Sequence, residues 1–183
     1  MLQGLEPPPP PLVLALGGQR SGKSAWAERR TLATRLAPIY VATAEPRDDE
    51  MDARIQLHQA RRGPAWALVE EPLALDEVVA EWSRPDRVLL IDCLTLWLSN
   101  LMGVEADVTA ATDALAQRLE ARQGPVVLVS NEVGSGVVPM HALARRFVDE
   151  AGRLHQRVAA LATEVVLVTA GCPHWLKSQP FDD

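Results

Sequence analysis

Gly17-Gly18-Gln19-Arg20-Ser21-Gly22-Lys23-Ser24 is the stretch that decides the fold. It fits the spacing G-x-x-x-x-G-K-[ST] at every fixed position. Gly17 and Gly22 let backbone N–H groups turn inward around phosphate oxygens. Lys23 is placed to reach the β- and γ-phosphates, and the Ser24 hydroxyl to ligate Mg²⁺. The apolar run Leu12–Leu16 precedes the stretch. Ser24–Leu36 follows it, with Trp26, Ala33 and Leu36 at helical spacing. A strand, a glycine loop and a helix N-terminus in that order form an anion cradle whose helix dipole favours negative charge.

Working outward, further short apolar runs occur at Ile39–Thr43, Val88–Asp92, Val126–Ser130 and Val165–Thr169. Each reads as a strand buried on both faces. Helical patterns lie between them at Asp49–Arg61, Leu94–Met102, Asp107–Arg122 and Met140–Ala162, with Pro139 at a helix start. Trp66–Glu70 is a candidate edge strand. The alternation predicts an α/β fold, a single P-loop NTPase (RecA-like) domain with a mostly parallel sheet flanked by helices. That domain is expected over residues 12–177, behind a Pro-rich flexible lead-in at 1–11 and before a polar tail at 178–183.

Composition narrows the function classes. The chain has 183 residues, 48% of them hydrophobic and 23% charged, which is enough apolar material for a full core. A formal charge of -6 disfavours a nucleic-acid partner. Cys93 and Cys172 cannot make a disulfide framework and imply a reducing compartment. No apolar run approaches the roughly 20 residues of a membrane span. The expectation is a cytoplasmic protein.

Val88-Leu89-Leu90-Ile91-Asp92 resembles a Walker B strand, with Asp92 holding Mg²⁺ directly or through water; the plainer reading is a cap for the next helix. In the segment after the second strand, Arg54 and His58 stand four residues apart on one helical face, with Arg61 and Arg62 on the next turn. Imidazole is partly neutral and nucleophilic at pH 7, so His58 can attack a nucleotide phosphate; on spacing alone the bystander reading is the stronger, since a lone His on a helix is usually exposed or partly buried without a role. Asn131-Glu132-Val133-Gly134-Ser135-Gly136-Val137-Val138-Pro139 joins a strand end to the long helix. It is either a ligand loop, with Asn131 and Glu132 orienting a hydroxyl or a base edge, or a plain connector. His141, His155 and His174 show no zinc spacing.

Together these segments resemble the bifunctional adenosylcobinamide kinase/adenosylcobinamide-phosphate guanylyltransferase family of cobalamin biosynthesis. The resemblance rests on residues 17–24, Tyr40-Val41-Ala42-Thr43-Ala44, and Asp48-Asp49-Glu50-Met51 with Arg54-Ile55 and His58. It continues through Val69–Leu73, Asp92–Leu101, Ser130–Pro139, Leu143–Phe147 and Gly152-Arg153, from about Leu12 to Lys177. It implies phosphorylation of the adenosylcobinamide hydroxyl by ATP or GTP, followed by transfer of GMP from GTP through a guanylyl-histidine to adenosylcobinamide phosphate. It implies His58 as the guanylylated residue and Lys23 as its catalytic companion. It also implies nucleotide contacts at Gly17, Gly18, Gln19, Arg20, Ser21, Gly22, Lys23, Ser24, Thr43, Ala44, Glu45, Gln59, Ala60, Arg61, Arg62, Glu70 and Asp92. Ser24 and Asp92 are the implied Mg²⁺ ligands, and a homo-oligomer, a trimer, the implied assembly.

Two positions depart from the family pattern. His155 stands where G-R-x-N-Q commonly has Asn, and Gly63 separates Arg62 from Pro64. A kinase-only enzyme and a P-loop NTPase switch module are the alternatives. His58 argues against the first, and the lack of an N-K-x-D motif argues against a GTPase switch. Lys23 is expected to be exposed in its cradle.

Overall fold

The computed structural model describes residues 8–44, 63 and 65–178. In chain order the elements are β1 (Leu12–Gly17), α1 (Lys23–Leu32), β2 (Ala37–Ala42), β3 (Ala67–Glu70) and α2 (Leu75–Trp82). They continue with β4 (Arg87–Asp92), α3 (Leu94–Gly103), α4 (Val108–Glu120), β5 (Val126–Asn131), α5 (Ala142–Leu161), β6 (Glu164–Thr169) and β7 (Cys172–Lys177). The strands form one sheet in the order β3-β2-β4-β5-β1-β6-β7. Every pairing is parallel except β6 with β7, so the expected mostly parallel sheet is present.

Strand alternation sorts the core into two layers. Leu12, Leu14, Leu89, Ile91, Val126 and Leu128 face the helices α2 to α5, meeting Leu75, Leu94, Leu115 and Leu154. Val13, Ala15, Leu90, Val127, Val129 and Val168 face α1, meeting Trp26 and Ala27. Burial on both faces is why these strands read as continuous apolar runs. The same alternation, carried one step further, puts Gly17, Asp92 and Asn131 on the α1 face at the carboxyl edge of the sheet.

Several boundaries differ from the sequence reading. The first helix ends at Leu32, four residues short of Leu36, because Arg35 adopts a left-handed φ of 60° and the Thr34 hydroxyl donates to the Thr31 carbonyl. Pro38 then biases the chain to extended backbone. β2 stops at Ala42, leaving Thr43 in the following loop. The long helix starts at Ala142; Arg145 donates to the Pro139 and Met140 carbonyls and holds them outside it. Asp49–Arg61 lies outside the described residues. α2 is an addition to the expected elements, although Leu75, Val78 and Val79 supply a helical stripe and Asp76 and Glu77 sit in its first turn. The Glu71 carboxylate, accepting from the Leu73 and Ala74 N–H groups at 2.9 and 2.8 Å, turns the chain into it. β7 is a second addition: all its residues are exposed, so no buried face imposes an alternation. A two-residue turn at Ala170 and Gly171, with φ of 51° and 79°, folds it back on β6.

Candidate active site

The loop between β1 and α1 closes around a concavity by its own chemistry. A Cβ on Gly17 would stand 2.4 Å from Ser21 Oγ and 2.6 Å from the Val168 carbonyl oxygen, so only glycine fits there. Gly22 takes a left-handed φ of 94° at the N-cap of α1. It offers the helix no side-chain cap, and the first turn carries no acid. The leading N–H groups and the positive end of the dipole are therefore kept for an outside anion. Ser21 Oγ is buried with no hydrogen-bond partner, a second group waiting for a ligand. The Ser21 carbonyl accepts from Gly171 N–H at 2.8 Å, so the β6–β7 turn braces the loop.

Lys23 corrects the expectation of an exposed side chain: only 8% of it is exposed. Its Nζ donates to the Gly18 carbonyl at 3.3 Å, across the mouth of the cradle. Burial lowers its pKa, while the negative charge of Asp92 acts the other way. The ammonium is thus desolvated ahead of binding, which strengthens its pull on a phosphate. Gln19 and Arg20 are exposed on the loop, and Ser24 is partly buried in the first turn of α1.

Across the sheet, Asp92 ends β4 with Ala42 as its register partner on β2; Ala42 in turn pairs with Glu70 of β3. Glu70, exposed, therefore shares the carboxyl edge with Asp92 about 10 Å away, two strand spacings. β5 lies between β4 and β1, so Asp92 is at a similar remove from the cradle. Among the described residues no group of three or more His, Cys, Asp or Glu could hold a metal ion.

Thr43, expected among the nucleotide contacts, is fully buried. Its hydroxyl donates to the Cys93 carbonyl at 2.8 Å and accepts from Cys93 N–H at 2.9 Å. Its carbonyl accepts from Asn100 Nδ2 at 2.8 Å. Thr43 therefore ties the loop after β2 to the loop after β4, and Ala44 follows it, partly buried. Glu45, His58, Gln59, Ala60, Arg61 and Arg62 lie outside the described residues.

The structure adds residues that motif spacing does not reveal. Thr95 Oγ1 sits 3.1 Å from Cys93 Sγ and accepts from Asn131 Nδ2 at 2.9 Å. Burial, then the Asp92 charge, pushes the Cys93 thiol up to about 11, so it stays protonated beside the site. His155, unremarkable by spacing, is buried with its Nε2 2.7 Å from Ser130 Oγ. Burial lowers its pKa, against the nearby charge of Glu132. The Glu132 N–H donates to the Gly17 carbonyl at 3.0 Å, anchoring the glycine loop to the cradle. A cavity of about 280 Å³ lies under that loop, lined by Val133, Val137, Pro139, Arg145 and Val148 among others.

A phosphate cradle on a parallel α/β sheet, with an acid ending a nearby strand on the same face, defines a P-loop nucleotide-binding enzyme. Comparison with known proteins narrows the class: the family model described as cobinamide kinase / cobinamide phosphate guanyltransferase matches residues 13–176, and the chain belongs to that family. It is 47% identical over 169 residues to the bifunctional adenosylcobalamin biosynthesis protein CobP of Pseudomonas aeruginosa, covering 91% of this chain and 98% of that protein. It is 38% identical over 175 residues to the bifunctional adenosylcobalamin biosynthesis protein CobU of Escherichia coli, covering 87% and 96%. Among solved structures, the RadB recombinase superposes with a TM-score of 0.52 at 16% identity, covering 87% of this chain and 74% of that one. The PH0250 protein of Pyrococcus horikoshii gives 0.54 at 11%, covering 94% and 88%. These two likenesses show the RecA-like P-loop fold alone.

Proposed function

We propose that this chain phosphorylates the hydroxyl of adenosylcobinamide with ATP or GTP and then transfers GMP from GTP, through a guanylyl group on His58, to adenosylcobinamide phosphate. The observation that carries the reading is the cradle itself: an uncapped helix N-terminus, Gly17 with no room for a Cβ, and a desolvated Lys23 facing one concavity. Both reactions need a triphosphate held there, and they differ in which phosphorus is attacked. In the first, backbone N–H groups of residues 18–24 and Lys23 hold the β- and γ-phosphates while a substrate hydroxyl attacks the γ-phosphorus. In the second, the imidazole of His58 attacks the α-phosphorus, pyrophosphate leaves with the electron pair, and the phosphoramidate then yields GMP to the corrinoid phosphate. Mg²⁺, held by Ser24 and Asp92 together with phosphate oxygens, would neutralise charge on the leaving group.

The supporting test uses α-labelled GTP. The native chain should acquire a covalent, acid-labile, base-stable label and form adenosylcobinamide-GDP. His58→Ala should lose both while still phosphorylating adenosylcobinamide, since Lys23, Ser24 and Asp92 are untouched. Full guanylyl transfer by His58→Ala would refute the covalent route. We read the enzyme as cytoplasmic and, by family resemblance, as a trimer. Val137 and Met140, each 97% exposed, with Val138 and Leu143, form an apolar patch suited to burial between copies. Light scattering on the native protein reads that state directly. No helix among the described residues is long and apolar enough to cross a membrane.

A further inference from the structure

We propose that Asn131 orients the acceptor hydroxyl of the kinase reaction, an assignment that rests on the two-step reading above. The residue ends β5, the strand lying between the cradle strand β1 and the acid-bearing strand β4. In register it is the partner of Gly17, and its side chain falls on the α1 face, the face that carries Asp92. It therefore stands at the sheet edge between the phosphate cradle and the residue assigned to the metal.

Its amide is held but only half satisfied. Nδ2 donates to Thr95 Oγ1 at 2.9 Å, and the backbone N–H reaches the same oxygen at 3.4 Å. Thr95 has Cys93 Sγ on its other side at 3.1 Å. Oδ1 is buried and has no hydrogen-bond partner. Buried polar atoms are nearly always paired, so an orphan fixed by its own amide nitrogen points to a ligand group that completes it. The missing group must be a donor, because an amide oxygen only accepts. Triphosphate oxygens are acceptors and cannot fill this role. A substrate hydroxyl can.

In the reaction, the hydroxyl oxygen forms a bond to the γ-phosphorus. The bond from that phosphorus to the β–γ bridging oxygen breaks, and its electron pair leaves on the nucleoside diphosphate. The hydroxyl proton passes to an oxygen of the transferred phosphoryl group and then to solvent. A carboxamide is not basic, so Asn131 accepts a hydrogen bond without taking the proton and aligns the oxygen lone pair on phosphorus. Guanylylation of His58 uses no substrate hydroxyl and does not need this contact.

The test is Asn131→Leu, close to Asn in shape, with Asn131→Ala as a second variant should the first lack a cooperative melting transition. Adenosylcobinamide phosphorylation is measured at saturating nucleotide with γ-labelled GTP, and self-labelling with α-labelled GTP in the same preparation. The expected result is a kcat for phosphorylation lower by about 10–100-fold, with self-labelling and the nucleotide-induced rise in melting temperature within about twofold of the parent. Asn131→Asp, which keeps an acceptor oxygen, should recover part of the lost rate. Unchanged phosphorylation would overturn the assignment. So would a parallel loss of phosphorylation, self-labelling and nucleotide binding, which would make Asn131 a structural residue of the cradle. A parent protein that transfers neither label would overturn the two-step reading and this assignment with it, whereas with an active parent the variants test Asn131 alone.

Discussion

Replacing Lys23 by Met separates what the lysine does for the fold from what it does for the nucleotide. The side chain is 8% exposed, so Met, of similar length, fills the space without leaving a cavity. Burial lowers the Lys23 pKa, so the folded protein holds this charge less readily than the unfolded chain does. That penalty is fully present below the folded-state pKa and fades as pH rises toward the ordinary 10.5. Lys23→Met should therefore leave the nucleotide-free protein as stable as the parent or more so at pH 7, with the difference shrinking as pH rises from the lowered folded-state pKa toward 10.5. With nucleotide the order reverses. Ligand at 100 times its dissociation constant adds about 2.7 kcal/mol to the parent, or about 5–11 °C in melting temperature for a chain of this size. Lys23→Met should lose most of that rise. Both label transfers should fall by about 10²–10³, corresponding to about 2.7–4 kcal/mol of transition-state stabilisation from one preorganised donor. The measurements are thermal melts with and without GTP across pH 7–10.5 and the two labelling assays. Near-native turnover in either reaction would refute a shared cradle, and a large loss of stability without nucleotide would refute the claim that burying this charge is unfavourable.

Asp92→Asn should raise the Mg²⁺ concentration needed for half-maximal activity several-fold while changing nucleotide affinity less, because an amide lacks the charge the ion prefers; superimposable Mg²⁺ titrations would refute a metal role for Asp92, and capping would not replace it, since Cys93 is the N-cap of α3 and no side chain caps that helix. His155→Asn should remove a pH dependence of stability. The depressed His155 pKa means that the unfolded chain binds the proton more readily, so the parent should lose melting temperature as pH falls below about 6.5 and the variant should lose less; parallel melting curves from pH 5 to 8 would sink that account.

The phosphate loop and the alternation of apolar runs with helical patterns are legible in the sequence because each is a local code. Gly17 to Ser24 needs only its own spacing, and strands buried on both faces announce themselves by composition. Leu12–Gly17, Arg87–Asp92 and Val126–Asn131 match the expected runs within a residue at each end. The short helix Leu75–Trp82 is present in the pattern but too brief to stand out from it, and the wholly exposed β7 leaves no pattern at all.

The sequence by itself determined that a triphosphate cradle sits between a buried strand and a helix, and it supplied the motifs that identify the family. Only the tertiary structure decided which side chains complete the site. β5 inserts between β1 and β4, and that sheet order brings Gly17, Asn131 and Asp92 to one edge although they are far apart in the chain. Burial turned Lys23 from an exposed contact into a desolvated one and drew the polar atoms of Thr43 into the protein's own hydrogen bonds. The orphaned oxygen of Asn131 exists because Thr95, 36 residues away in sequence, holds the other end of the amide. Pairings of that kind depend on strand order and helix packing, which no local spacing encodes.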